Sequence, residues 1–323
     1  MIVHTFYASK ALSKTGIDIA DFVINPYRGC TYGCVYCYAQ QNKNIKKRKE
    51  KWGSFVDVKI NILNLLQEEL RSGIMDVSQR VLIGSVTEPY QPIEKDMRFT
   101  RGILHTLNDF GKSAVILTRS PLICEDAELI IKGGHTVFFT LNTFTPLDPE
   151  NPAFQNGNEC TIGLEQKQKS RSSGRCLTGF AGRIKEGLEP AGPSLDQRLD
   201  AVARLVASTA DVRIHIGPVI PGLTDCEMLF AKLPPGCTEV ALELYNFKMG
   251  SWPCVRTVLE REAPQAVKLC EEITASPEIY EGYCRRFRDE IATINRKYGY
   301  SLRFFIPQFD AYFDNEAYHY EVS

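Results

Sequence analysis

Short runs rich in β-branched residues alternate with amphipathic stretches along most of the 323 residues, and no other feature restricts the fold as much. "VLIGSV" (Val81–Val86), "AVILT" (Ala114–Thr118), "TVFFTLN" (Thr136–Asn142), "VRIHIGPVI" (Val212–Ile220) and "EVALELYNF" (Glu239–Phe247) read as strands, preceded by Asp21–Asn25 and Phe55–Ile60. Helical patterns lie between them, near Asn61–Ser72, Thr100–Asp109, Pro121–Ile131 and Leu195–Ser208. Such alternation signals βα units on a parallel sheet. The strand count predicts an α/β fold, an incomplete (β/α)6-type TIM barrel, because a full eight-unit barrel needs more strands than are found. Residues 1–250 are expected to form it, with a long insertion at 144–182 where Gly, Asn, Ser and Pro replace any clear period. Residues 251–323 are expected to be a C-terminal extension packed on the barrel, helical over Pro264–Tyr298, with a further candidate strand at Ser301–Gln308.

With 44% hydrophobic and 24% charged residues the chain can bury a substantial core. Thirty-eight basic against 39 acidic residues leave a formal charge of -1, so no strong overall field draws it to nucleic acid or an anionic membrane. The N-terminus lacks the apolar core of a signal peptide, and no stretch approaches the ~18 apolar residues of a membrane span. A cytoplasmic protein with no membrane partner is expected. In that compartment eleven cysteines are not a disulfide framework, so ligation, catalysis or burial must account for them.

Most of the cysteines are scattered singly, where a free cysteine usually serves as a small buried hydrophobe. Cys30, Cys34 and Cys37 are clustered, in "NPYRGCTYGCVYCYAQ", with the spacing C-x3-C-x2-C. They follow the first strand, and parallel barrels collect their chemistry on loops after strand C-termini. Structural zinc takes four ligands, the fourth usually near in sequence. The histidines His4, His105, His135, His215 and His319 offer none at such a distance. On a [4Fe-4S] cluster, three thiolates leave one iron open to another ligand. Gly29 and Gly33 relieve the backbone where the loop turns. A zinc module and an electron-carrying cluster stand as alternatives.

Cys34-Val35-Tyr36-Cys37 closes a motif that resembles the signature of the radical S-adenosylmethionine (radical SAM) superfamily. "NPYRGC…GC.YCYA", "SKALSKTG", "TEPYQPIEK" and "GPVIPGLTD" are similar to its spore photoproduct lyase branch, over roughly residues 8–250 apart from the insertion. The resemblance implies that Cys30, Cys34 and Cys37 hold the cluster and that the open iron chelates S-adenosyl-L-methionine. An electron then cleaves a carbon–sulfur bond and yields a carbon radical that acts on a small or soft substrate. It also implies that Tyr36 lies near adenine, that Thr87 and Glu88 in "GSVTEP" accept from the methionyl amino group, that Asn142 and Thr143 meet ribose hydroxyls, and that Val219 walls the adenine. The family's glycine pair is here Gly84-Ser85-Val86, which departs from the pattern.

Ser85 falls where spore photoproduct lyase carries its hydrogen-donor cysteine, and an O–H bond donates hydrogen to a carbon radical poorly. Nucleic-acid modification or repair is thus an alternative that is not favoured. The basic run Lys43, Lys46, Lys47, Arg48, Lys49 and Lys51 is either a solvated helix face or a docking site for an acidic electron donor such as flavodoxin or ferredoxin. In the insertion, Cys160 and Cys176 flank Lys167, Lys169, Arg171 and Arg175. Soft thiolates prefer soft metals or metalloids. That loop resembles the arsinothricin-pathway radical enzymes, which implies a second alternative: transfer of the 3-amino-3-carboxypropyl group of S-adenosylmethionine to trivalent arsenic, with arsenite as substrate and Cys160 and Cys176 as candidate catalytic thiols.

Overall fold

The structure, a computed structural model, describes residues 1–145, 174–309 and 320–322. Its strands are β1 (Ile2–Phe6), β2 (Ser13–Lys14), β3 (Phe22–Ile24), β4 (Tyr27–Arg28), β5 (Phe55–Lys59), β6 (Arg80–Ile83), β7 (Ser113–Thr118), β8 (Thr136–Leu141), β9 (Asp211–Val219), β10 (Glu239–Leu244), β11 (Ser301–Phe305) and β12 (Tyr320–Val322). One large sheet runs β12-β11-β10-β9-β8-β7-β6-β3-β2. Every pairing from β3 to β11 is parallel. Antiparallel β2 and β12 flank it, and among the described strands the sheet stays open. β8 is buried at every position, which is why "TVFFTL" shows no alternation.

Two expectations need correction. Phe55–Ile60 does form a strand, but β5 leaves the large sheet and pairs with β1 and β4 in a separate three-stranded sheet. Local period identifies a strand without naming its partner. Tyr27, Val56, Val58 and Ile93 give that small sheet its own core. The candidate strand at Ser301–Gln308 forms as β11, parallel to β10, and joins the large sheet. The insertion also ends earlier than its composition suggests, since Gly174–Leu188 is helical and buries Ile184 and Leu188 completely. Cys176 falls within that helix. Cys160, Lys167, Lys169 and Arg171 lie outside the described residues.

The main core lies between the sheet and helices Ile62–Arg71, Phe99–Asp109 and Leu195–Ala207, around residues such as Leu66, Ile103, Ile116 and Val202. Each such fully buried side chain contributes about 1.5–3 kcal/mol. Helix Leu195–Ala207 starts at a capping box in which Ser194 and Gln197 satisfy each other's backbone N–H groups. The other face of the sheet carries Leu82, Val115, Phe138 and Ala241. A further apolar cluster joins the cysteine loop to helices Trp252–Glu262 and Pro264–Ile273 through Val255, Leu259, Ala266 and Cys270. The C-terminal helices thus roof that loop. No described helix is long and apolar enough to cross a membrane.

Candidate active site

The cysteine loop leaves β4 and is tied down from several segments. Gly29 takes a φ of +85°, and a Cβ there would stand 2.7 Å from the Phe55 carbonyl, so β5 can pass behind the loop only because this residue is glycine. Thr87 Oγ1 donates to the Gly29 carbonyl at 2.6 Å, and Thr31 N donates to Gln91 Oε1 at 3.0 Å. From other directions, Trp52 Nε1 donates to the Cys34 carbonyl at 3.2 Å and Val35 N donates to the Leu188 carbonyl at 2.9 Å. So held, Cys30, Cys34 and Cys37 line one wall of a cavity at the C-terminal ends of β6 to β10, with about 930 Å³ of space including its mouth.

Burial pushes all three thiols up, Cys37 to about 12. Cys30 also feels the charges of Cys34 and Cys37, whereas Arg119 partly offsets the effect at Cys34. Backbone N–H groups of Glu88 and Ala39 are directed at Cys30 and Cys37 and favour their thiolates. Among the described residues, no three His, Cys, Asp or Glu side chains converge on a point that one ion would fill.

Beneath the loop runs a polar network that the sequence reading missed. Glu189 is 1% exposed and receives Arg119 Nη1 at 2.6 Å, together with Arg198 Nη2 and the Tyr36 hydroxyl. Burial opposes its ionisation, but Arg198 and Arg119 hold its carboxyl down at about 2. Arg119 Nη1 also approaches Cys34 Sγ at 3.6 Å. Tyr36 and Arg119 are far from Glu189 in the chain, Arg198 is nine positions beyond it, and charged side chains usually face solvent, so nothing local announced the network.

The remaining sequence candidates are placed as follows. Tyr36 is buried, lines the cavity and packs against Phe144. Glu88 and Thr87 line it too, with their oxygens engaged: Glu88 accepts from Thr118 Oγ1 at 2.5 Å and from the backbone N–H groups of Tyr90 and Arg119, both at 3.0 Å. Asn142 is 5% exposed, and neither its amide oxygen nor its amide nitrogen has a hydrogen-bond partner. Thr143 is buried beside it, with its hydroxyl 3.1 Å from that of Thr145. Val219 packs into the main core, while Gly217 and Pro218 of the same strand face the cavity. Ser85 lines the cavity, accepting from Asn25 Nδ2 at 2.9 Å through its hydroxyl and from Tyr38 through its carbonyl.

With this geometry in hand, solved structures of similar shape can be named. Spore photoproduct lyase complexed with dinucleoside spore photoproduct superposes with a TM-score of 0.52 at 13% identity, over 81% of this chain and 67% of that one. A variant of that enzyme with bound AdoMet and the same dinucleoside gives the same values. The fold is shared. By sequence, an uncharacterized protein of Methanocaldococcus jannaschii is 28% identical over 90% of this chain and 92% of its own length. An uncharacterized protein of Mycobacterium tuberculosis is 24% identical over 91% and 80%. No family model matches.

The residues present fit a [4Fe-4S] cluster. Thiolates bound to one zinc stand about 3.8 Å apart around a single point. A cubane takes each thiolate on a different iron, and Cys30, Cys34 and Cys37, which line one cavity and feel one another's charge, would supply three. Desolvated thiols are also poor anions until a cation arrives.

Proposed function

We propose that this chain is a radical SAM enzyme on an incomplete (β/α) barrel, in which Cys30, Cys34 and Cys37 hold a [4Fe-4S] cluster and S-adenosylmethionine occupies the adjoining cavity. The observation that carries this reading is three desolvated thiols lining one cavity where parallel strands end. The fold shared with spore photoproduct lyase supports it. When bound, the cluster supplies the electron that cleaves a carbon–sulfur bond of S-adenosylmethionine and leaves a carbon radical for use on a small substrate.

The chain's own residues bind, orient and exclude water. Tyr36, Phe144 and the roof of C-terminal helices keep the loop dry. Thr87 fixes the turn at Gly29, and Glu88 fixes the backbone after β7. Both line the cavity, where they would accept from the ammonium group of S-adenosylmethionine. Asn142 carries a buried amide with neither atom partnered, of the kind that ribose hydroxyls would satisfy, although neither it nor Thr143 lines the cavity. Val219 backs the Gly217–Pro218 wall. The exposed Lys43, Lys46, Lys47, Lys49 and Lys51, which follow the cysteine loop, suit an acidic donor such as flavodoxin or ferredoxin.

The test is a product assay. Oxygen-free, reconstituted protein given dithionite and S-adenosylmethionine should release 5'-deoxyadenosine, and Cys34→Ala should abolish it. Methylthioadenosine in its place would mark aminocarboxypropyl transfer. Neither product from a protein that contains iron and sulfide would overturn the reading.

A further inference from the structure

The cavity wall supplied by the sheet carries a polar group with no role assigned above. Thr140 of β8 and His215 of β9 are register partners. His215 Nδ1 lies 3.3 Å from Thr140 Oγ1, and Nε2 lies 3.1 Å from Glu243 Oε2. All three residues line the cavity.

The backbone is shaped around them. β10 shifts register against β9 between Leu242 and Leu244, at Glu243, and such irregularities re-aim a side chain. Gly217 leaves the space that the imidazole fills, since a Cβ there would stand 2.4 Å from His215 Cε1 and 3.1 Å from Glu243 Cβ. Further along the same sheet face, Leu82, Val115, Phe138 and Ala241 pack together and Arg213 pairs with Glu239.

Charge decides what this group can hold. Among the described lining residues the one arginine, Arg119, is paired with Glu189 at 2.6 Å, and there is no lysine. Glu88, held by Thr118 and backbone N–H groups, is already assigned to the amino group of S-adenosylmethionine. Glu243 gives one oxygen to His215, and its side chain remains 31% exposed. It lines the same cavity as Cys37. Tyr32, Trp52 and Tyr245 present aromatic surface to the same space. A partly exposed carboxylate among aromatic rings, with an imidazole as its partner and no lysine beside it, attracts a positive group and repels a phosphodiester.

We infer that Glu243, oriented by His215 and Thr140, binds the ammonium group of a small primary-amine substrate. The inference rests on the proposed function only in taking this cavity as the active site, and it points away from nucleic acid as substrate.

Calorimetry on the reconstituted full-length chain tests it with three probes of one shape: butylammonium, butanol and butyrate. Butylammonium should bind saturably, at least about tenfold tighter than either match, and Glu243→Gln should weaken it by about tenfold or more. Glu243→Asp, which keeps the charge, should retain most of the affinity, and Gly217→Ala should lose part by displacing the imidazole. Equal affinity for the three probes, an unchanged Glu243→Gln, or no saturable heat from butylammonium would each overturn the inference. Urea unfolding of each variant separates misfolding from lost binding. The titration does not depend on turnover, so its failure and that of the product assay are distinguishable.

Discussion

Glu189 accepts from two arginines and a tyrosine where water hardly reaches, and a carboxylate so placed is stable only while its partners remain. Arg198 is almost as buried, and its Nη1 has no partner, so it holds Glu189 without a surplus of hydrogen bonds. Arg198→Met should therefore lower urea stability by about 3 kcal/mol, because Glu189 keeps its burial and loses its largest compensation. Adding Glu189→Gln should restore part of that loss, since the uncompensated charge then disappears. A loss below about 1 kcal/mol for Arg198→Met would show that the network does not support the cysteine loop. At this scale the sequence was legible only where partners are near neighbours. Cys30, Cys34 and Cys37 sit within eight positions of one another, whereas Arg119, Glu189 and Arg198, or Thr140, His215 and Glu243, meet only through the fold. A signal for His215 did exist: in "VRIHIGPVI" it is a polar residue flanked by isoleucines on a strand.

Among the elements, the junction between β7 and β8 carries a titratable contact. His135, just before β8, accepts the Ala114 N–H at 2.9 Å through Nδ1. A proton on Nδ1 would face that N–H head on. Burial first, and Arg80 second, lower its pKa to about 4 from the ordinary 6.5. The unfolded chain takes up this proton before the folded one does, so the contribution is present above pH 6.5 and is lost as pH falls toward 4. Across that window it amounts to about 3 kcal/mol. Urea midpoints at pH 7 and pH 5 should therefore differ more for the wild type than for His135→Gln, which accepts the same bond without titrating. Equal pH dependence would place the sensitivity elsewhere. The same strands show what a pattern can and cannot give. β6 to β10 were found within a residue or a few of their bounds because buried parallel strands read as apolar runs. β5 was found and assigned to the wrong sheet, because pairing depends on the turn at Gly29 and on contacts made across the chain.

For the molecule as a whole, a formal charge of -1 conceals an uneven distribution. Exposed lysines follow the cysteine loop, while the cavity holds carboxylates whose nearest arginine is already paired. This distribution suits the proposed acidic reductant on the outside and the proposed cationic ligand on the inside. The architecture was legible as alternating strands and helices. The C-terminal stretch was harder to place, because its helices Trp252–Glu262, Pro264–Ile273 and Pro277–Asn295 precede β11, which rejoins the sheet. The central claim is that three thiols hold a cluster whose fourth iron receives S-adenosylmethionine. Electron paramagnetic resonance of oxygen-free, dithionite-reduced protein, recorded with and without that compound, tests it most directly. The account predicts a reduced-cluster signal from about four irons per chain, with g-values that shift when the compound is added and a signal that disappears in Cys34→Ala. A reduced cluster whose spectrum is indifferent to S-adenosylmethionine, or a protein that binds one zinc and no sulfide, would contradict it.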